Sequence, residues 1–300
     1  MGIKQIIWNM LWEQEWNIGF FRAESFPENL PEISWLKTDY KDGWFADPFI
    51  LSETKDRIEL LVEEFHYATR RGRIDLLTVD PRDYSLLDIK VLLETPFHMS
   101  FPAIYRHDGK IYVYPENSEE GVLRIYEYNP ATRSLENPAE ILRDNVVDAI
   151  IRKNDQDGRY YLFASKYGSV AANNELLIYS SDSLTGNYEP AGKLDTGNFG
   201  ARGAGNWLEI DGTLVRPSQD GADLNRYGLG LILSEASFSE GEGFSFKEQR
   251  RFYSNSLLYP LGIHTINRLG SLYVVDGLKY RRPKLGAATW IIRDMVANPR

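Results

Sequence analysis

The apolar positions of this chain fall in short runs, without the stripes of amphipathic helices. The clearest pair is Trp44-Phe45-Ala46-Asp47-Pro48-Phe49-Ile50 and, after a polar turn, Glu59-Leu60-Leu61-Val62-Glu63-Glu64-Phe65. Runs of this length bounded by turn residues predict β-strands. Weaker copies of the first run return at Ser100-Phe101-Pro102-Ala103-Ile104, Val147-Asp148-Ala149-Ile150-Ile151, Gly203-Ala204-Gly205-Asn206-Trp207-Leu208 and Gly262-Ile263-His264-Thr265-Ile266. A turn and a strand rich in Tyr or Leu follow each copy, as at Asp108-Gly109-Lys110-Ile111-Tyr112, Asp157-Gly158-Arg159-Tyr160-Tyr161 and Asp211-Gly212-Thr213-Leu214. Asp-Gly between apolar runs predicts a tight hairpin, because glycine accepts the positive φ that the turn demands.

In the first four repeats a third strand follows, at Gly72 to Val79, Val122 to Tyr128, Glu175 to Ser180 and Tyr227 to Ser234. A fourth comes at Asp88 to Leu93, Ala139 to Arg143, Tyr188 to Leu194 and Phe244 to Phe252. Four antiparallel strands recurring about every 45 to 60 residues are the signature of propeller blades. The fifth repeat has its hairpin, Ile263 to Asp276, without an outer pair, and residues 16–38 show the missing pattern of strand, Pro-containing turn and strand. The prediction is an all-β fold, a five-bladed β-propeller of four-stranded antiparallel blades over residues 16–283. N-terminal strands complete the last blade and close the ring, within a single domain spanning 1–300. The tail, 284–300, has no partner in this scheme, and Ala287 to Val296 has the pattern of a short helix.

Composition narrows the function. The formal charge of −9, with no Lys/Arg run longer than two, excludes a duplex nucleic-acid binder, which needs a basic surface. With no cysteine, disulfides and thiolate chemistry are excluded. The run Ile6 to Trp12 is too short for a membrane span and meets Glu13 and Glu15 at once, so no signal peptide or span is read and a cytoplasmic location is expected. The four histidines, His66, His98, His107 and His264, lack ligand spacing, and no calcium-loop pattern appears, so neither a metal nor another cofactor is expected. The glycine-rich segment from Gly197 to Gly205 precedes a strand, which suits close backbone approach to the axis better than a phosphate loop.

Innermost strands of a propeller surround a channel, so residues at one end of them converge. The first-strand starts contribute Asp47, Ser100, Asp148, Arg202 and His264. Counting seven residues from each hairpin turn gives Glu64, Glu116, Ser165, Gln219 and Gly277, with Lys166 and Asp276 as neighbours; Glu63 and Glu64 alternate in direction, so only one can face the channel. Carboxylates suit sugar hydroxyls, and glycosidic chemistry needs one ionised carboxylate and one acid of raised pKa. Asp47 and Asp148, inside apolar strands, fit the ionised role, and Glu116 or Glu64 the acid. Structural roles compete: Asp47 as a turn acceptor before Pro48, Asp148 in an ion pair with Arg202, and His264 as a hydrogen-bonded core histidine.

Together these residues resemble the five-bladed propeller domain at the N-terminus of plant glucosamine inositolphosphorylceramide transferases and of bacterial proteins from polysaccharide gene clusters. The stretches that carry the resemblance are Trp16-Asn17-Ile18-Gly19, Ala46-Asp47-Pro48-Phe49 with Val62-Glu63-Glu64-Phe65, Ser100-Phe101-Pro102 with Pro115-Glu116, Asp148-Ala149, and Gly262-Ile263-His264-Thr265-Ile266-Asn267 with Val275-Asp276-Gly277. The fourth blade departs from the family's Ser-Arg-Pro-Ala-Gly, having Ala201-Arg202-Gly203-Ala204-Gly205, but Arg202 is retained. More distantly the chain is similar to the arabinanase, β-xylosidase and levansucrase group, and that resemblance implies Asp47 as base or nucleophile. In the transferase family the sugar-transferring activity resides in a separate domain.

Two functions are therefore expected to compete. One is a glycoside hydrolase with Asp47, Glu116 and Asp148 in its chemistry and Glu64, Ser100, Lys166, Arg202, Gln219, His264 and Asp276 around the sugar. The other is a glycan-binding or scaffolding module serving a partner glycosyltransferase in cell-surface polysaccharide synthesis. A platform for protein contacts alone fits less well, because the acids fall at equivalent inner-strand sites.

Overall fold

The computed structural model describes residues 12–168, 174–197, 200–222 and 227–283. Among them there is no helix, and the strands form five four-stranded antiparallel sheets. Blade one is β3 (Gly43–Glu53), β4 (Ile58–His66), β5 (Arg71–Val79) and β6 (Leu86–Leu93); blade two is β7 (Ser100–His107), β8 (Lys110–Glu116), β9 (Leu123–Asn129) and β10 (Ser134–Leu142). Blade three is β11 (Val146–Lys153), β12 (Tyr160–Lys166), β13 (Glu175–Ser181) and β14 (Glu189–Asp195); blade four is β15 (Leu208–Ile210), β16 (Thr213–Gln219), β17 (Gly230–Ser239) and β18 (Gly243–Tyr253).

Blade five joins the two ends of the chain. Its strands, from the axis outward, are β19 (Ile266–Leu269), β20 (Leu272–Pro283), β1 (Trp12–Arg22) and β2 (Ser34–Trp35). The whole length of β1 pairs with β20, from Trp12 opposite Pro283 to Arg22 opposite Leu272. The N-terminal closure expected from the strand, Pro-turn, strand pattern is therefore present, with β1 starting four residues earlier than residue 16. The proposed helix of the tail lies outside the described residues.

The core lies between the blades. Alternating residues on each face of a sheet meet the next blade, as where Phe49 of blade one packs edge-on against Phe101 of blade two, ring centroids 5.0 Å apart. Phe163 of blade three is likewise enclosed by Trp207 and Phe244 of blade four. A second cluster joins blades four and five through Leu208, Val215, Ile266 and Val275, and a third joins blade five to blade one through Ile18, Phe20, Leu60 and Val274.

Blade four has a short innermost strand because its glycine-rich approach runs against its neighbours. The Ile266 amide donates to Ala204 O at 2.7 Å, and a Cβ on Gly205, whose φ is +136°, would lie 2.0 Å from Ile266 O. Only glycine fits there. The close backbone approach expected of this segment is what the structure shows.

Candidate functional site

Three innermost strands carry the same irregularity at the same place. Pairing jumps from Ala46–Glu63 to Phe49–Leu61 in blade one, from Ser100–Glu116 to Ala103–Tyr114 in blade two, and from Val147–Ser165 to Ile150–Phe163 in blade three. The extra residues form bulges, and a bulge re-aims a side chain that regular pleating would send elsewhere. Their first residues, Asp47, Phe101 and Asp148, have φ of 49°, 44° and 52°. Aspartate tolerates this left-handed region, whereas a bulky ring does not. Phe101 stays there with its ring wholly buried between blades. Phe101, not Ser100, is thus the counterpart of Asp47 in blade two.

Carboxylates at this level tie blade five to blade one, blade one to blade two, blade two to blade three and blade three to blade four. The Asp47 amide donates to Asp276 Oδ2 at 3.2 Å, the Phe101 amide to Asp47 Oδ2 at 3.1 Å, and the Asp148 amide to Glu116 Oε2 at 3.1 Å. Asp148 Oδ2 in turn accepts from Arg202 Nε at 2.6 Å and Gln219 Nε2 at 3.1 Å in blade four. In blade five, Asp276 Oδ1 accepts the amides of His264 and Thr265, while His264 Nδ1 lies 2.6 Å from Asp276 Oδ2. His264 Nε2 is 3.5 Å from Asp47 Oδ1, which also accepts the Thr265 hydroxyl at 2.8 Å. The imidazole stacks on Trp16, centroids 4.1 Å apart.

Above this ring opens a cavity of about 710 Å³ at one end of the channel. Of the residues singled out in the sequence, Asp47, Ser100, Glu116, Asp148, Lys166, Arg202 and His264 line it. Trp16, Trp44, Phe65 and Tyr227 add aromatic wall, which suits the apolar faces of sugar rings. Lys166 is also paired with Asp144.

Three expected residues lie elsewhere. Glu64 points to the opposite face of β4, where it accepts from Tyr40 and, at 2.5 Å, from Arg73 Nε, with Asp75 alongside. The cavity-facing acid of blade one is Glu63, opposite Ala46 as Glu116 is opposite Ser100. Counting from the turn failed in this blade because its hairpin is a four-residue loop, Thr54 to Arg57, without Asp-Gly, and β3 bulges again between Ile50 and Ser52. Gln219 stands behind Asp148, donating also to Gly203 O, and Asp276 stands beneath His264; each supports a cavity residue and does not line the cavity. Trp16, Trp44 and His98 were not picked out from sequence. Aligning Ala46-Asp47-Pro48 with Ser100-Phe101-Pro102, and not the turns, would have found Glu63.

Burial sets the protonation of the acids. It pushes Glu116 up to about 8, with the neighbouring Asp148 charge adding to the effect. Glu63 is raised well above the usual glutamate range, first by burial and then by Asp47 and the other carboxylates of the ring. Burial also raises Asp47, to about 6, against the opposing pull of His264. His264 is raised despite burial, because the Asp276 carboxylate and then Asp47 favour its charged form; Asp276 is lowered, again against burial, by the same imidazole. Near neutral pH Asp47 is therefore mostly ionised and Glu116 mostly protonated, while the surroundings favour the protonated form of Glu63 and the charged form of His264. Among the described residues, Asp47, His264 and Asp276 bring ligand atoms within 4.8 Å of one another, close enough to share a cation.

The family model of the N-terminal domain of glucosamine inositolphosphorylceramide transferase 1 matches residues 30–244. The enzyme of that name from Arabidopsis thaliana is 27% identical over 274 residues, covering 80% of this chain and 35% of its own. Its counterpart from Oryza sativa subsp. japonica is 28% identical over 191 residues, 60% of this chain and 25% of its own. The chain thus spans about a third or less of these plant relatives. Among solved structures, an exo-β-1,3-galactanase from Phanerochaete chrysosporium with β-1,3-galactotriose superposes with a TM-score of 0.52 at 13% identity, covering 71% of this chain and 51% of that one. A β-xylosidase superposes at 0.51 and 12% identity, covering 80% and 94%. At such identities the likeness shows the propeller fold alone. The match over most of its blades places this chain in the family of the glucosamine inositolphosphorylceramide transferase 1 N-terminal domain.

Proposed function

We propose that this propeller binds a glycan in the acidic cavity and hydrolyses a glycosidic bond there, with Asp47 as the ionised carboxylate and Glu63 as the proton donor. The observation that carries this reading is that Asp47 and Glu63 face one cavity in which burial lifts Asp47 only to about 6 and Glu63 well above the usual glutamate range. Glu63 gives its proton to the departing glycosidic oxygen. Asp47 either takes a proton from the water that attacks the anomeric carbon or attacks that carbon itself, at carboxyl separations of about 6.5–9.5 Å or 5–5.5 Å respectively. An ionised carboxylate offers about four acceptor sites, so Asp47 keeps capacity beyond Phe101 and Thr265. Glu116, the acid expected from sequence, serves less well, because its oxygens already accept from the Asp148 amide and the Ser118 hydroxyl. Asp148 is likewise committed to Arg202.

A second reading rests on the inter-blade bonds. Carboxylates that hold neighbouring amides need no chemistry to explain them, and the cavity would then present a glycan to a partner glycosyltransferase. One screen separates the two: a glycan panel scored for binding and for reducing-end release with wild type, Asp47→Asn and Glu63→Gln. Release lost in both variants while binding persists supports hydrolysis. Binding with no release by wild type leaves the module, and neither binding nor release refutes both.

A further inference from the structure

We propose that the opposite end of the channel is a second binding site, for a ligand that carries a phosphate group. This does not rest on the glycan reading above. Strands β3, β7, β11 and β19 start near the acidic cavity and run to a separate cavity of about 440 Å³, within the ~300–1,000 Å³ of small-molecule sites. Four cations wall it, Arg106, Arg152, Lys153 and Arg268, beside Tyr105 and Trp207; Asp155 is the one acid among its described lining residues. The other mouth is the reverse, with five carboxyl groups, Asp47, Glu63, Glu116, Glu119 and Asp148, against Lys166 and Arg202 as its lysine and arginine. A chain of net charge −9 thus gathers positive charge at one end of its axis.

None of the four cations is in an ion pair among the described residues. Arg106 donates to Ile50 O and Leu51 O at 3.0 and 2.7 Å, and Arg268 to the carbonyls of Gly270, Glu209 and Glu24 at 2.6, 3.3 and 3.0 Å. Neutral carbonyls fix a guanidinium's direction and leave its charge uncancelled. Arg152 lies over the Trp207 ring, 5.8 Å from its centroid, and Lys153 over the Tyr160 ring at 5.6 Å. Like charges held around one cavity repel one another, and an anion there relieves the repulsion. Guanidinium groups favour phosphate through their planar set of donors, and the Tyr105 and Trp207 rings give a sugar or similar ring an apolar surface beside it.

Calorimetric titration with glucose 6-phosphate tests this, with glucose and inorganic phosphate as separate titrants, alongside sedimentation with phosphatidylglycerol vesicles diluted in phosphatidylcholine. Glucose 6-phosphate or the anionic vesicles should bind, glucose should not compete, and added salt should weaken the binding. Arg152→Gln with Lys153→Gln should lower affinity at least tenfold, while Asp47→Asn leaves it unchanged. Vesicle binding alone identifies a lipid headgroup as the source of the phosphate, and sugar phosphate binding alone identifies a soluble one. If the double variant does not fold, Lys153→Gln alone carries the comparison, with at least a threefold loss. No binding of either phosphate by folded wild type, or unchanged affinity in a variant with wild-type thermal unfolding, overturns the proposal.

Discussion

Replacing Glu116 by glutamine should make this protein more stable at neutral pH, although the side chain is buried and bonded on both oxygens. Burial beside Asp148 lifts its pKa in the fold from 4.5 to about 8. Between those values the folded chain holds a proton that the unfolded chain has released, so stability falls as pH rises. The stability is fully present below about pH 4.5 and is lost as pH climbs through 8. At about 1.4 kcal/mol per pH unit, the loss from pH 4.5 to pH 7 is about 3 kcal/mol, an upper value for a group that can relax. Glutamine has the same shape and no proton to release. Its carbonyl accepts the Asp148 amide, and its NH₂ donates to the Ser118 hydroxyl, so both contacts survive with the donor reversed in the second. Urea unfolding at several pH values reads the effect directly. The stability difference between Glu116→Gln and wild type should grow with pH, by about 1–3 kcal/mol between pH 4.5 and pH 7. A variant that is less stable at pH 7, or a difference that does not change with pH, would refute the assignment of a neutral, desolvated Glu116.

Arg73→Met removes the cation beside Glu64 and Asp75 and leaves two buried carboxyls without it, Asp75 being already pushed up to about 8 by burial and then by Glu64. The expected cost is about 3–5 kcal/mol near pH 7; urea unfolding that shows a cost below about 1 kcal/mol, the range of an exposed ion pair, would count against it. A chain that starts at residue 23 lacks β1 and leaves β20 unpaired on that side. It should lose cooperative thermal unfolding and near-UV dichroism, and retention of both would show that the ring does not need this closure.

The fold was legible because its signals are local. Asp108-Gly109 and Asp157-Gly158 each mark a hairpin, and period-two burial follows from the alternation around them. Even the closure could be read, since residues 16–38 repeat the outer-strand pattern absent after Asp276. The site was legible only to within a residue. In a strand, one position decides which face a side chain takes, and the register of blade one depends on a loop and a bulge that composition does not mark. Glu63 and Glu64 have the same chemistry in sequence; pairing with Ala46 sends one to the cavity and leaves the other with Arg73. Trp16 was hidden for another reason. It meets His264 from the far end of the chain, through pairing across blade five.

That pairing also has a cost in time. β1 leaves the ribosome before the other strands of the propeller, and β20 comes about 250 residues after it, between Arg22 and Leu272. At synthesis rates of about 5–20 residues per second, β1 waits on the order of 10 to 50 s for its main partner. During that interval Ile18, Phe20 and Phe21, all buried in the finished ring, have no sheet to cover them. Contacts so distant in sequence form slowly even in a complete chain. The first strand of this propeller is therefore the segment on which newly made chains would aggregate, and the one a chaperone would have to hold until the last blade arrives.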